Sequence, residues 1–265
     1  MLYFSSLLQT QYPTSATNLF TTLTKTEISY QVIDGAKDIW LRDFMPIRTR
    51  SGKYVSFRYE PSYLNGFEDR RTDFRRDIAP QISLPVIYSD INLDGGNVVF
   101  SPSRERVIIS DRVFGENHDY DKERLVCELA ELLEAEVIII PSLKSDMTGH
   151  ADGMVRFVNE NTVIGNDVPS QNGLEQRIKR ELRKYGVNVI DFPYQDDKGI
   201  SAVGTYLNYL ETESCIFLPV FGIEMDAKTV TTARRVFSKE IVPINIGEIA
   251  KQGGCLNCIS WEMPE

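Results

Sequence analysis

The 265-residue chain predicts an α/β fold in which one strand, strand, helix, strand unit recurs five times and closes into a five-bladed propeller, a single domain over residues 1–265. Three observations predict it. Apolar periodicity switches between strand and helix in the same order along the chain, strand-ending prolines recur at an almost constant interval, and the two chain ends supply the pieces of one further unit.

"DGGNVVFSPSRERVIIS" (94–110) reads as two strands across a turn, "DKERLVCELAELLEAE" (121–136) as an amphipathic helix and "EVIIIP" (136–141) as a buried strand. The next stretch repeats the order. "GMVRFVNENTVIGND" is a hairpin turning at Asn159–Asn161, "LEQRIKRELRKYG" a helix stopped at Gly186, and "VNVIDFP" a strand. In the third, "TYLNYLETESCIFLPVFG" supplies the hairpin, "DAKTVTTARRVF" a helix with Asp226 as N-cap, and "EIVPIN" the strand.

Pro141, Pro193 and Pro243 lie 52 and 50 residues apart by subtraction, the period of an array. Upstream, "WLRDFMPIRTRSGKYVSFRYEP" and "LPVIYSD" fit a fourth unit with a poorer helix between them. The fifth takes "CISWE" from the C-terminal end and "LYFSSLL" from the N-terminal end as its hairpin, then "SATNLFTTLTKT" as helix and "ISYQVID" as strand. Closing the ring in this way removes open strand edges.

Composition narrows the function. With 42% hydrophobic and 25% charged residues the chain is globular. A formal charge of -9 disfavours nucleic acid and anionic membrane, and suits a small cation. No apolar run is long enough to span a bilayer and the first residues lack a secretory pattern, so a cytoplasmic location is expected. Four cysteines in a chain of this size are expected as thiols, with Cys127 and Cys215 buried in helix and strand. A homo-oligomer is compatible with this composition.

Five short motifs each open a unit: "WLRD" (40–43), "DGGN" (94–97), "GHADG" (149–153), "TYLN" (205–208) and "GGCLNC" (253–258). The intervals between Asp43, Asp94, His150, Tyr206 and Cys258 are 51, 56, 56 and 52, so fivefold pseudosymmetry would bring these residues to one end of a common axis. The chemistry gathered there is a thiol, an imidazole and carboxylates. A thiol becomes a useful nucleophile beside a cation or base. Only two histidines are available; His118 sits in the polar stretch "GENHDYDKE", whereas His150 is flanked by glycine with a carboxylate two residues on, and is the candidate acid and base. Asp43 and Asp152 can each accept paired hydrogen bonds from a planar guanidinium. Tyr206 and Asn208 are expected to line the pocket.

The C-x-x-C of Cys255 and Cys258 also invites redox and zinc readings. A redox pair needs a helix start in a thioredoxin-like setting, and here a short strand is expected to follow. A zinc site needs two more soft ligands at matching spacing, which Cys127 and Cys215 do not provide. Cys255 is read as a bystander. Arg42 and Arg156, beside the motifs, are expected to make structural pairs, and Glu175 to pair with Lys179 along its helix.

"WLRD", "GHADGMVRFV" and "GGCLNCISW" together resemble the signature segments of the penteins, the guanidine-modifying superfamily, and within it the agmatine deiminase and bacterial-type peptidylarginine deiminase family. The resemblance runs from Trp40 to Trp261 and implies a five-bladed ββαβ propeller. It further implies Cys258 as nucleophile, His150 as general acid then base, Asp43 and Asp152 as guanidinium ligands, Trp40 as a wall of the substrate slot, and Asp94 as a support of the site. The implied reaction converts agmatine, or arginine free or in a peptide, to a ureido product and ammonia through a covalent thiouronium, without metal or organic cofactor. An amidinotransferase and a catalytically silent binding module are the alternatives on the same fold.

Overall fold

The computed structural model describes residues 1–143, 146–167, 173–195 and 199–264. The chain divides into two compact units, one of Met1–Arg42 with Phe192–Glu265 and the other of Asp43–Asp191, and the boundary falls inside the WLRD motif.

The Asp43–Asp191 unit carries three three-stranded sheets. Ile47–Arg48 pairs antiparallel with Tyr54–Arg58, which pairs parallel with Val86–Asn92. Val98–Phe100, Arg106–Ser110 and Glu136–Ile140 repeat that arrangement. Val155–Asn159 and Thr162–Asn166 form the third hairpin, with Asn188–Phe192 on its other side. The parallel step requires a crossover, and the helix Lys122–Leu133 makes one of them. Asp121 caps it by accepting from the Arg124 N–H (2.9 Å), and Leu125, Leu129 and Leu133, four residues apart, put one face into the core. That core joins Ile91, Val107 and Ile109; a second gathers Ile138, Val163, Leu182 and Val187.

Between residues 58 and 86, where a poor helix was expected, only short helical turns form. Pro61, Gly66, Pro80 and Pro85 interrupt any longer run. The turn Ser62–Leu64 is nevertheless held firmly: Glu116 accepts from the Ser62 N–H (2.9 Å) and hydroxyl (2.7 Å), and from Arg112 Nε (2.8 Å).

The other unit holds two sheets of the same topology. Leu210–Glu211 pairs antiparallel with Cys215–Val220, and that strand pairs parallel with Glu240–Asn245. Pro243 lies within its strand instead of ending it; the strand is the outer one of its sheet, where a missing N–H costs no ladder bond. Ser260–Glu262 pairs antiparallel with Leu2–Ser5, which runs parallel to Tyr30–Ile33, so the sheet built from both chain ends is present. The N-terminal strand stops at Ser5, and Leu7–Gln11 is already helical. Phe4, Leu19, Leu23, Phe217, Leu256 and Ile259 share the core of this unit.

Three local expectations are corrected. Asp226 is not the N-cap of Met225–Val236; it lies in the first turn, where one carboxylate oxygen accepts from the N–H groups of Phe221, Gly222 and Ile223. Lys179 pairs with Asp191 (2.5 Å), the neighbour that tertiary packing brings closest, and not with Glu175. Cys127 is exposed, because it falls on the solvent side of the helix whose buried stripe is Leu125, Leu129 and Leu133. Among the described residues no helix is long and apolar enough to cross a membrane.

Phe4 is fully buried, so Phe4→Ala is expected to lower the unfolding free energy by about 3–5 kcal/mol in urea titration. Val32→Thr, at a position 39% exposed, is expected to change it by less than about 0.5 kcal/mol.

Candidate active site

In the Asp43–Asp191 unit, DGGN and GHADG fold alike. Asp94 and His150 are each extended residues immediately before a one-turn helix, Gly95–Asn97 and Ala151–Gly153. Asn97 ties the two motifs together: its Oδ1 accepts from the Ser110 N–H (2.9 Å) and from the Ala151 N–H (3.2 Å). These bonds set where the imidazole and the carboxylate emerge.

His150 is buried, 6% exposed, with both ring nitrogens facing acids. Nε2 lies 2.7 Å from Asp94 Oδ2, a hydrogen bond, and Nδ1 lies 3.7 Å from Asp43 Oδ1. Asp43 Oδ1 is itself oriented by the Gly96 N–H at 3.0 Å. Asp152, 3% exposed, acts on both Asp43 and His150 through its charge. Tyr63, from the turn braced by Glu116, donates its hydroxyl to Asp94 Oδ2 (2.9 Å) and sets its ring edge-on to the imidazole at 6.2 Å.

Gly96 is part of this geometry. A Cβ there would stand 2.6 Å from His150 Nδ1 and 2.7 Å from Asp43 Oδ1, closer than atoms approach. Only a residue without a side chain lets the backbone N–H reach the carboxylate beside the imidazole.

Electrostatics follow from the burial. Removal from water lowers the proton affinity of His150, but the charge of Asp43 and the hydrogen bond and charge of Asp94 reverse this and raise its pKa from 6.5 to about 10. Asp43 is pushed up from 3.8 to about 7, chiefly by burial, which the His150 charge only partly offsets while Asp94 and Asp152 add to the rise. The cluster therefore holds a cationic imidazole among carboxylates that together exceed its charge.

The other unit presents the thiol. Cys258 is half-buried in a turn after the buried pair Cys255 and Leu256. Its N–H donates to Asn208 Oδ1 (3.2 Å) and its carbonyl accepts from the Arg42 N–H (3.1 Å). Arg42 Nε donates to the Asn257 carbonyl (3.3 Å), so this arginine serves the Cys258 turn through its backbone and not an aspartate. Asn208 also accepts on its own carbonyl from the Asn257 N–H (3.2 Å). The two thiols of the C-x-x-C are thus unequal: Cys255 is fully buried with its sulfur 3.7 Å from the Ala202 carbonyl. Trp40 packs over the same loop, where a Cβ on Gly254 would come within 2.4 Å of its ring.

Of the residues expected at the site, Asp43, Asp94, His150 and Asp152 gather in one unit, and Trp40, Asn208 and Cys258 belong to the other. Tyr206 has a fully buried ring and donates its hydroxyl to Asp226 (2.7 Å), which anchors its loop on the following helix. Sequence reading passed over Gly96, Asn97 and Tyr63. The doubled glycine of DGGN was a signal for the first; Tyr63 lies in a stretch without periodicity and left none.

The fold class is the α/β pentein, with five small sheets of one topology. The chain belongs to the Porphyromonas-type peptidyl-arginine deiminase family, whose model matches residues 7–264. The agmatine deiminase of Enterococcus faecalis superposes with a TM-score of 0.80 at 16% identity, over 100% of this chain and 93% of that one. An agmatine deiminase from C. jejuni gives 0.76 at 17%, over 98% and 92%. In sequence, the Pseudomonas aeruginosa agmatine deiminase is 31% identical over 80 residues, 30% of this chain and 22% of that protein. Matches to curated relatives span unequal shares of their length, 24% for one from Lactococcus lactis and 75% for one from Mycoplasma mycoides.

Gly96→Ala is expected to destabilise the protein by about 1–3 kcal/mol in denaturant titration, since the imidazole or Asp43 must move. The pKa shifts set the sign of a pH effect. Asp43, raised, stabilises the fold fully below pH 3.8 and loses that contribution as pH rises to about 7; His150, raised, stabilises fully below 6.5 and loses it toward about 10. Melting temperature is therefore expected to fall between pH 7 and 10, and His150→Asn to flatten that part of the curve.

Proposed function

We propose that the chain is a thiol-dependent deiminase that hydrolyses the guanidino group of agmatine, or of arginine free or in a peptide, to a ureido product and ammonia. Residues 1–265 form a single catalytic domain with Cys258 as nucleophile and His150 as general acid then base. The observation that carries this reading is the buried imidazole held by Asp94 and flanked by Asp43 and Asp152, a cluster whose excess negative charge a guanidinium cation would neutralise.

Asp43 and Asp152 bind the guanidinium, and Trp40 walls its slot. Asp94 supports the imidazole and does not touch substrate; Asn208 holds the Cys258 turn, and Tyr206 is its anchor. Because Asp94 takes the Nε2 hydrogen, Nδ1 is the nitrogen that exchanges protons with the reacting groups. The Cys258 sulfur adds to the guanidinium carbon, and Nδ1–H protonates the departing amine, which leaves as ammonia. Water then gives a proton to Nδ1 as its oxygen adds to the thiouronium carbon, and the C–S bond breaks to return the thiolate and the ureido product. Its four free thiols suit the cytoplasm as its compartment.

Two outcomes test this. Cys258→Ser is expected to abolish ammonia release from a panel of agmatine, arginine and an arginine peptide supplied without an acceptor amine; undiminished release would overturn the reading, and release only with an acceptor would indicate amidino transfer. Binding of agmatine to the Cys258→Ser variant is expected to release protons below pH 7, as the cation favours ionised Asp43. Calorimetry in two buffers of different ionisation enthalpy reads the proton count, and affinity should weaken by up to about tenfold per pH unit below that point.

A further inference from the structure

We infer that Tyr63 is a positioning residue of this site: its hydroxyl locks the Asp94 carboxylate onto His150 Nε2, and so keeps Nδ1 as the nitrogen that exchanges protons. The role in turnover rests on the proposed deiminase reading, whereas the lock itself does not.

Asp94 Oδ2 accepts from two donors at once, His150 Nε2 at 2.7 Å and the Tyr63 hydroxyl at 2.9 Å. A carboxylate attached through a single methylene can rotate about its Cβ, and one hydrogen bond leaves that rotation open. A second donor on the same oxygen closes it. The phenol is suited to the task because it stays a donor: burial, and the charge of Asp94, hold its pKa well above 10, so it remains protonated wherever His150 works. Its ring stands edge-on to the imidazole at 6.2 Å.

The hydroxyl is delivered by a built support. Tyr63 sits in the turn Ser62–Leu64, and its neighbour Ser62 is fastened to Glu116 by two hydrogen bonds and to Arg112 by a third at 2.9 Å. Tyr59 adds to the rise in the phenol's pKa. The groups that face the imidazole are then Asp43, Asp94 and Asp152, with Tyr63 acting through Asp94. The Tyr63 hydroxyl donates to Asp94, which supports the imidazole, so its loss is expected in proton transfer more than in binding.

The experiment is Tyr63→Phe, which removes one oxygen and keeps the ring. The chain has only two histidines, and His118, with a side chain 80% exposed, is an internal reference for nitrogen-detected NMR of the imidazoles. In the wild type the His150 Nε2–H is expected in slow exchange with water at neutral pH; in Tyr63→Phe that exchange is expected to quicken at least about tenfold while His118 is unchanged. Turnover of the best guanidine substrate is expected to fall about tenfold in kcat with KM within about twofold. Glu116→Gln, which weakens the brace at a distance, is expected to move both readouts in the same direction by less. Unaltered Nε2–H exchange in Tyr63→Phe overturns the inference, whether or not kcat falls. Absence of activity on every guanidine would instead count against the deiminase reading and leave the exchange measurement to decide on Tyr63.

Discussion

An imidazole buried beside carboxylates sets the terms for the rest of this site. Charges out of water are costly unless matched, and His150 is matched by a hydrogen bond to Asp94 and by the nearby charge of Asp43. The match is lopsided, since the acids outnumber the base. Asp43 answers by holding its proton up to about pH 7. A site in that condition favours an incoming cation, and a planar one with several donors can satisfy carboxylate oxygens on more than one side.

The scaffold meets this demand with one small device used repeatedly. DGGN and GHADG each place a functional side chain just before a single helical turn, and the asparagine that ends DGGN accepts the N–H that follows His150. TYLN ends in an asparagine too, and Asn208 accepts the N–H of Cys258 in the same manner. Repetition of the unit thus repeats the means of aiming a side chain, while each motif carries different chemistry. Gly96 shows the tolerance involved: one methyl group would displace the imidazole or its acid.

Much of this was legible in the chain. The five sheets, the joining of Leu2–Ser5 with Ser260–Glu262, and the association of Asp43, Asp94 and His150 follow from periodicity and motif spacing. Errors fell where local pattern competes with packing. Asp226 has the look of an N-cap, yet its carboxylate closes the preceding turn. Lys179 had a partner at helical spacing, but the adjoining strand offered Asp191. Cys127 was placed inside on residue type alone, although the leucine stripe of its own helix already marked the opposite face as buried.

Hydrophobic alternation and its near 50-residue recurrence determined the sheets and helices, because burying an apolar face is a demand written directly in residue order. The same spacing marked the residues that carry chemistry. Only the tertiary structure decided how those residues are held: which imidazole nitrogen meets Asp94, that Gly96 must lack a side chain, and that Tyr63 reaches Asp94 from an irregular stretch. Those choices depend on distances of a few tenths of an ångström between segments far apart in the chain, and no local pattern encodes them.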